Sequence, residues 1–167
     1  CFKPVFSSGS RGFRILDPTV DRAHVLLRER PGFVAMRLEE AVEILASVDD
    51  QTELLVMELA EGPERTIDGI ANGREIVLGH PKTREAMRAG LAMYFVTLED
   101  ARLMTLAGAI IGELGIEHFF NIQLVGEHVI EINPRISTVV YQEDLDLAWL
   151  GVQAALGRLD AADAAAA

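Results

Sequence analysis

Residues 119–138 constrain this chain more than any other stretch. They read as two β-strands joined by a minimal turn and stopped by a proline. Phe119–Val125 and His128–Ile132 flank Gly126-Glu127, the pattern of a tight hairpin. Pro134 has no N–H to give to a ladder, so the second strand must end beside it. Alternate side chains of a strand share a face. Glu131, Asn133 and, if the extended conformation persists, Arg135 therefore point one way, while Ile130 and Ile132 point into a core. Gln123 on the preceding strand falls beside Glu131 or one diagonal step from it. A carboxylate, amide oxygens and a guanidinium on one face suit a divalent cation and the anionic oxygens it carries. The same alternation also describes a hydrogen-bonded, solvent-facing polar stripe. On spacing alone both readings stand.

Composition narrows the partners. The chain has 167 residues, enough for one domain or two small lobes, with half its residues hydrophobic and a quarter charged. Its net charge of −11 argues against nonspecific binding to nucleic acid or to an anionic membrane surface. A single cysteine, Cys1, excludes an intrachain disulfide framework and a cysteine-rich zinc site, and it is compatible with a cytoplasmic location. No apolar run reaches the roughly 18 residues of a membrane span, and no charged-then-apolar leader opens the chain. Cys1–Phe6 reads as a strand already under way, so we expect the downstream part of a longer polypeptide.

Read in order, residues 1–6 and 12–16 form a hairpin across the Gly/Ser-rich connection Ser7–Gly12. Residues 17–38 are an irregular excursion with one helical turn near 21–28. Ala41, Ile44, Leu45 and Val48 mark an amphipathic helix over 39–48. Glu53–Leu59 is a strand that ends at the turn Glu61-Gly62-Pro63. Arg65–Ala71 and Glu75–Gly79 pair through Asn72-Gly73. Residues 80–91 carry one basic cluster, His80, Lys82, Arg84 and Arg88. After a strand over 92–97, Thr97 caps a helix over 98–114 that Gly115 stops. A last helix covers 143–157, where Trp149 packs. Hairpins with helices between them predict an α+β fold. The domain boundaries fall as 1–60, 61–158 and a disordered or frayed tail over 159–167.

Two further stretches can carry chemistry. Lys3 precedes the Gly/Ser loop, and such a loop can turn several backbone N–H groups onto a phosphate. It is not a Walker loop, and it also reads as a plain flexible turn. In Met57–Glu64 a strand end offers backbone groups to a purine edge, with a carboxylate beyond it for ribose hydroxyls; it also reads as an ordinary acidic loop. The four histidines have neither His-x-x-x-His nor cysteine partners, which speaks against zinc. Ser137 and Thr138 lie in no nucleophile elbow.

Taken together and in order, these pieces resemble the ATP-grasp superfamily, with the nearest likeness to the domains of the carbamoyl-phosphate synthase large-chain type. The likeness rests on Lys3-Pro4 with Ser7–Gly12, Met57-Glu58-Leu59 with Glu61–Glu64 and Asp68, Asn121-Ile122-Gln123, and Glu131–Ser137. It implies an ATP-grasp fold of two α+β lobes with the nucleotide site between them. It implies that Lys3 contacts nucleotide phosphates and that the loop holding Ser8, Gly9, Ser10 and Gly12 closes over them. Glu58 and Leu59 would read adenine and Glu64 the ribose. Gln123, Glu131 and Asn133 would hold Mg2+, or Mn2+ in its place, and Arg135 would steady the transferred phosphoryl group. Arg84 or Arg88 would meet the acceptor substrate. The implied partners are ATP, a small carboxylate and an amine, with an acyl-phosphate between them. The family's usual upstream domain and early basic residue have no counterpart here. The alternative expectation is therefore a nucleotide- or partner-binding module, inactive until an upstream domain or partner chain completes it.

Overall fold

The computed structural model describes residues 1–7, 9–30, 32–49, 52–88, 91–137, 141–142 and 145–159. The chain divides into two compact units, 1–59 and 60–167. Ser8, Thr138 and the tail beyond Leu159 lie outside the described residues.

The first unit holds β1 (Phe2–Pro4), β2 (Ile15–Leu16), α1 (Arg22–Arg28), β3 (Ala35–Met36), α2 (Leu38–Ala46) and β4 (Leu54–Val56). β1 pairs antiparallel with β4, Lys3 opposite Leu55, and β2 pairs parallel with β3. The expected hairpin of 1–6 with 12–16 is thus reduced to one bridge between Phe2 and Arg14. The physical reason is partner choice: β1 spends its ladder on β4, and Pro4 has no N–H to extend a second one. α1 spans two turns rather than one, because Asp21 Oδ1 accepts from Ala23 N at 2.9 Å and His24 N at 3.3 Å. α2 starts with Glu39 and Glu40, which complement the positive end of its dipole. Of the expected apolar stripe only Ala41 is buried; Ile44 and Leu45, and Val48 beyond the helix end, are about half exposed.

The second unit holds β5 (Glu64–Asn72), β6 (Ile76–Thr83), β7 (Ala86–Arg88), β8 (Leu91–Tyr94), α3 (Ala101–Leu114), β9 (Glu117–Val125), β10 (His128–Asn133), β11 (Tyr141–Gln142), β12 (Leu145–Asp146) and α4 (Leu147–Ala155). Four strands form one antiparallel sheet in the order β10-β9-β5-β6. The Asn72-Gly73 turn forms as expected, with Asn72 Oδ1 accepting from Arg74 N and Glu75 N. α3 begins at Ala101 and is capped by Asp100, not Thr97. Thr97 bridges Lys82 and Leu98 N donates to Pro81 O, so these residues belong to the sheet edge and the helix starts only beyond them. Gly115 ends it in the left-handed region at φ 63°.

The two faces of the sheet differ. On one, Ile67, Ala71, Phe120, Ile122 and Leu124 pack under Leu103, Ala107 and Ile111 of α3. On the other, Ile70, Leu78 and Phe119 pack under Leu147 and Leu150 of α4 at one end only. Gly151 permits that approach, since a Cβ there would lie 2.0 Å from the Phe119 ring. Trp149, expected to pack, is 59% exposed. Val129–Ile132 is likewise not a buried strand. It lies at the outer edge, a bulge falls between Val129 and Glu131, and Ile130 and Ile132 are 43% and 36% exposed. The α3 layer packs on β6 and β5 and over the buried side chains of β9, while among the described residues the β10 edge stays exposed.

This difference is measurable. Ile67→Ala should cost about 2–5 kcal/mol of stability in urea unfolding, whereas Ile132→Ala should cost clearly less.

Candidate functional site

Beyond the apolar end under α4, the same sheet face carries polar side chains in rows. Pairing places Asn133 opposite Asn121, Asn121 opposite Asp68, and Asp68 opposite His80. One step along, Glu131 faces Gln123, Gln123 faces Thr66, and Thr66 faces Lys82. A third row brings Glu64 to Arg84, whose backbone N donates to Glu64 O. Each strand contributes residues two apart, and that spacing sends them all to one side. Burial falls off across the face. Asp68 and Lys82 are 1% exposed and Asn121 3%, Gln123 and Asn133 are partly buried, and Glu131 is exposed.

The buried end is an ion pair inside a hydrogen-bond network. Lys82 Nζ stands 3.5 Å from Asp68 Oδ2 and 5.0 Å from the centre of the Phe95 ring. Asn121 Nδ2 donates to Thr66 Oγ1 at 2.6 Å and Asp68 Oδ1 at 2.8 Å. Asn121 Oδ1 accepts from Gln123 Nε2 at 2.9 Å and Asn133 Nδ2 at 3.1 Å. Arg84 Nη1 donates to Gln123 Oε1 and lies 3.8 Å from Glu64 Oε2. Burying such a pair is tolerated only when further hydrogen bonds satisfy the remaining lone pairs, which this network does.

The structure therefore brings Gln123, Glu131, Asn133, Arg84 and Glu64 onto one face. Arg135 is not on that ladder. β10 ends at Asn133, Pro134 turns the chain, and Arg135 Nη1 donates to Ile136 O at 3.0 Å. Arg88 ends β7. In the first unit Lys3 stands on β1. In the loop after it Ser7 Oγ donates to Arg11 O at 2.8 Å, and Gly9, Ser10 and Gly12 have positive φ. Met57 is tied to Cys1 by two backbone bonds, Met57 N to Cys1 O and Cys1 N to Met57 O. Glu58 and Leu59 follow, both exposed. Asn121, Thr66 and Lys82 had no assigned role in the sequence reading. Of the basic cluster, His80 and Lys82 lie on β6, which runs to Thr83, and Arg84 follows at its exit.

The donor set is all oxygen. Glu131 supplies a carboxylate and Gln123 and Asn133 supply amide oxygens, which fits Mg2+ or Mn2+ better than zinc. Among the described residues no three His, Cys, Asp or Glu side chains gather around a possible metal position. These residues thus fit a cation that arrives with anionic ligand oxygens rather than a closed protein cage. Also among the described residues, no helix is long and apolar enough to cross a membrane.

His80 adds a pH signature. Burial, and then the positive charge of Lys82, hold its pKa below the ordinary 6.5, against a smaller opposite pull from Asp68. The folded state therefore binds this proton less readily than the unfolded chain. Its contribution to stability is fully present above pH 6.5 and is lost as pH falls through the lower folded value. The urea midpoint should drop between about pH 7.5 and pH 5.5, in the range where histidine titrates, and His80→Gln should flatten that drop.

Comparison with known families now bears on this geometry. A family model described as ATP-grasp in the biosynthetic pathway with Ter operon matches residues 50–167. A search of curated proteins finds no match. The matched span contains the whole polar sheet face, from Glu64 to Asn133. Nothing in the match ties the chain to the carbamoyl-phosphate synthase type. ATP-grasp domains bind ATP with divalent metal, in keeping with an oxygen-only donor set. With the greater part of its length matched, the chain belongs to the ATP-grasp family.

Proposed function

We propose that this chain is the Mg-ATP-binding core of a ligase that activates a carboxylate as an acyl-phosphate and passes it to an amine. The observation that carries the reading is the row Glu131–Gln123 with Asn133 beside it, one exposed carboxylate flanked by two amide oxygens on a rigid sheet. A divalent cation bound there would neutralise charge on nucleotide phosphate oxygens. Every other role falls to side chains of the chain. Gln123 and Asn133 hold their oxygens in directions set by Asn121, and Glu131 supplies the carboxylate beside them. Arg84 stands between Gln123 and Glu64, where it can exchange its contact with the Gln123 oxygen for an anionic substrate group. Arg135, exposed just past the strand end, supplies positive charge to the transferred phosphoryl group. In the first unit we assign Lys3 and the 7–12 loop to phosphate oxygens, and Glu58 and Leu59 to the adenine edge. Glu64 is assigned to ribose.

This distribution suits phosphoryl transfer. Such reactions depend on positioning and charge neutralisation more than on a protein nucleophile. The carboxylate substrate attacks the γ-phosphorus and ADP leaves. The amine then displaces phosphate from the acyl carbon and loses a proton. Carbamoyl-phosphate-type chemistry is a variant of the same sequence.

Thermal unfolding with ATP and Mg2+, against ATP with chelator, tests the reading. At a ligand concentration of ~100 times Kd the wild-type chain should gain about 2.7 kcal/mol. The metal-dependent part of that gain should vanish in Glu131→Ala. An equal response in the variant would remove the metal assignment.

A further inference from the structure

Asn121 occupies a position that the proposed chemistry does not by itself require. It is 3% exposed and joins the buried ion pair to both amide donors. Its hydrogen-bond capacity is used in full. Two N–H groups go to Thr66 and Asp68, and two lone pairs accept from Gln123 and Asn133.

The direction of this chain of bonds is fixed at its buried end. A carboxylate oxygen paired with an ammonium accepts hydrogen bonds and donates none. Asp68 Oδ1 therefore demands the NH2 group of Asn121, and Asn121 must turn its oxygen toward β10. An oxygen can only accept, so Gln123 and Asn133 must each present NH2 to it. Their own carbonyl oxygens are then left on the outer branch of each amide. Gln123 is determined twice, because the group on its other branch is the Arg84 guanidinium, which only donates. An unconstrained amide can present either end at little cost. Here one buried charge removes that freedom from three amides in turn.

We propose that Asn121 is a positioning residue, oriented by Asp68, that turns the oxygens of Gln123 and Asn133 outward as cation donors. The donor role rests on the reading of Gln123, Glu131 and Asn133 given above. The amide orientation does not.

Two measurements separate these parts. Side-chain NH2 resonances of Gln123 and Asn133, recorded by 15N NMR on the ligand-free chain, report the orientation alone. In Asn121→Ala both pairs should move upfield and exchange faster with solvent; unchanged signals would overturn the proposal. Free Mn2+ titrated into the chain with saturating ATP, followed by electron paramagnetic resonance, reports the donors. Asn121→Ala should weaken Mn2+ binding by roughly 10–100-fold, the usual effect of removing a group that orients metal ligands. Its affinity for ATP in chelator should be unchanged, which a general loss of structure would not spare. Wild-type Mn2+ affinity in Asn121→Ala, with Glu131→Ala impaired, would overturn the positioning role and leave the metal reading intact. Wild-type affinity in Glu131→Ala would overturn the metal reading instead. Should Asn121→Ala not fold, Asp68→Asn with Lys82→Met carries the same test. That double variant keeps the buried site neutral while allowing Asn121 to turn over.

Discussion

The buried contact between Asp68 and Lys82 is the constraint on which the second unit depends. A carboxylate and an ammonium at 1% exposure are costly unless each is matched. Matching them requires β5 and β6 to be in one register, with Thr66 opposite Lys82 and Asp68 opposite His80. It requires β9 to bring Asn121 alongside. A slip of one residue on any of these strands would send the polar side chains under α3 and the isoleucines into the network. Such a pair adds little net stability, since apolar replacements of buried pairs are often neutral or better.

From that centre the polarity grades outward. Buried charge gives way to half-buried amides and then to the exposed Glu131 at the sheet edge. The gradient separates two tasks. At the buried end Asp68, Lys82 and Asn121 are paired by the protein itself. The outer end presents oxygens whose remaining capacity is open to a ligand. The apolar face under α3 supplies the folding energy, so the opposite face is free to be polar beyond the reach of α4.

Much of this was legible in the residues. The two hairpins around Asn72-Gly73 and Gly126-Glu127 follow from turn chemistry, and α3 with its Gly115 stop follows from helical spacing. Hairpin length alone would set Gln123 opposite Ile130; the bulge between Val129 and Glu131 is what brings Glu131 beside Gln123. What escaped was non-local. Nothing beside Ile130 or Ile132 in the sequence says that β10 is an edge strand with a bulge, so their exposure was missed. Thr97 looked like a cap because its bridge to Lys82 involves a residue fifteen positions earlier. That Lys82 of the basic cluster is half of a buried ion pair does not show locally, because its counter-charge, Asp68, lies on another strand. One signal was present: Thr66/Asp68, His80/Lys82/Arg84, Asn121/Gln123 and Glu131/Asn133 all repeat at a spacing of two. Four strands with the same polar alternation predict one shared polar face, whatever their order.

We propose that nucleotide-borne metal binds on this face of the second unit. Mn2+ added with ATP to the isotopically labelled chain tests it through paramagnetic broadening of NMR signals. Broadening should be strongest at Gln123, Glu131 and Asn133 and fall off toward Ile67 and Ile111 on the far side of the sheet. Broadening centred elsewhere, or independent of ATP, would contradict the account.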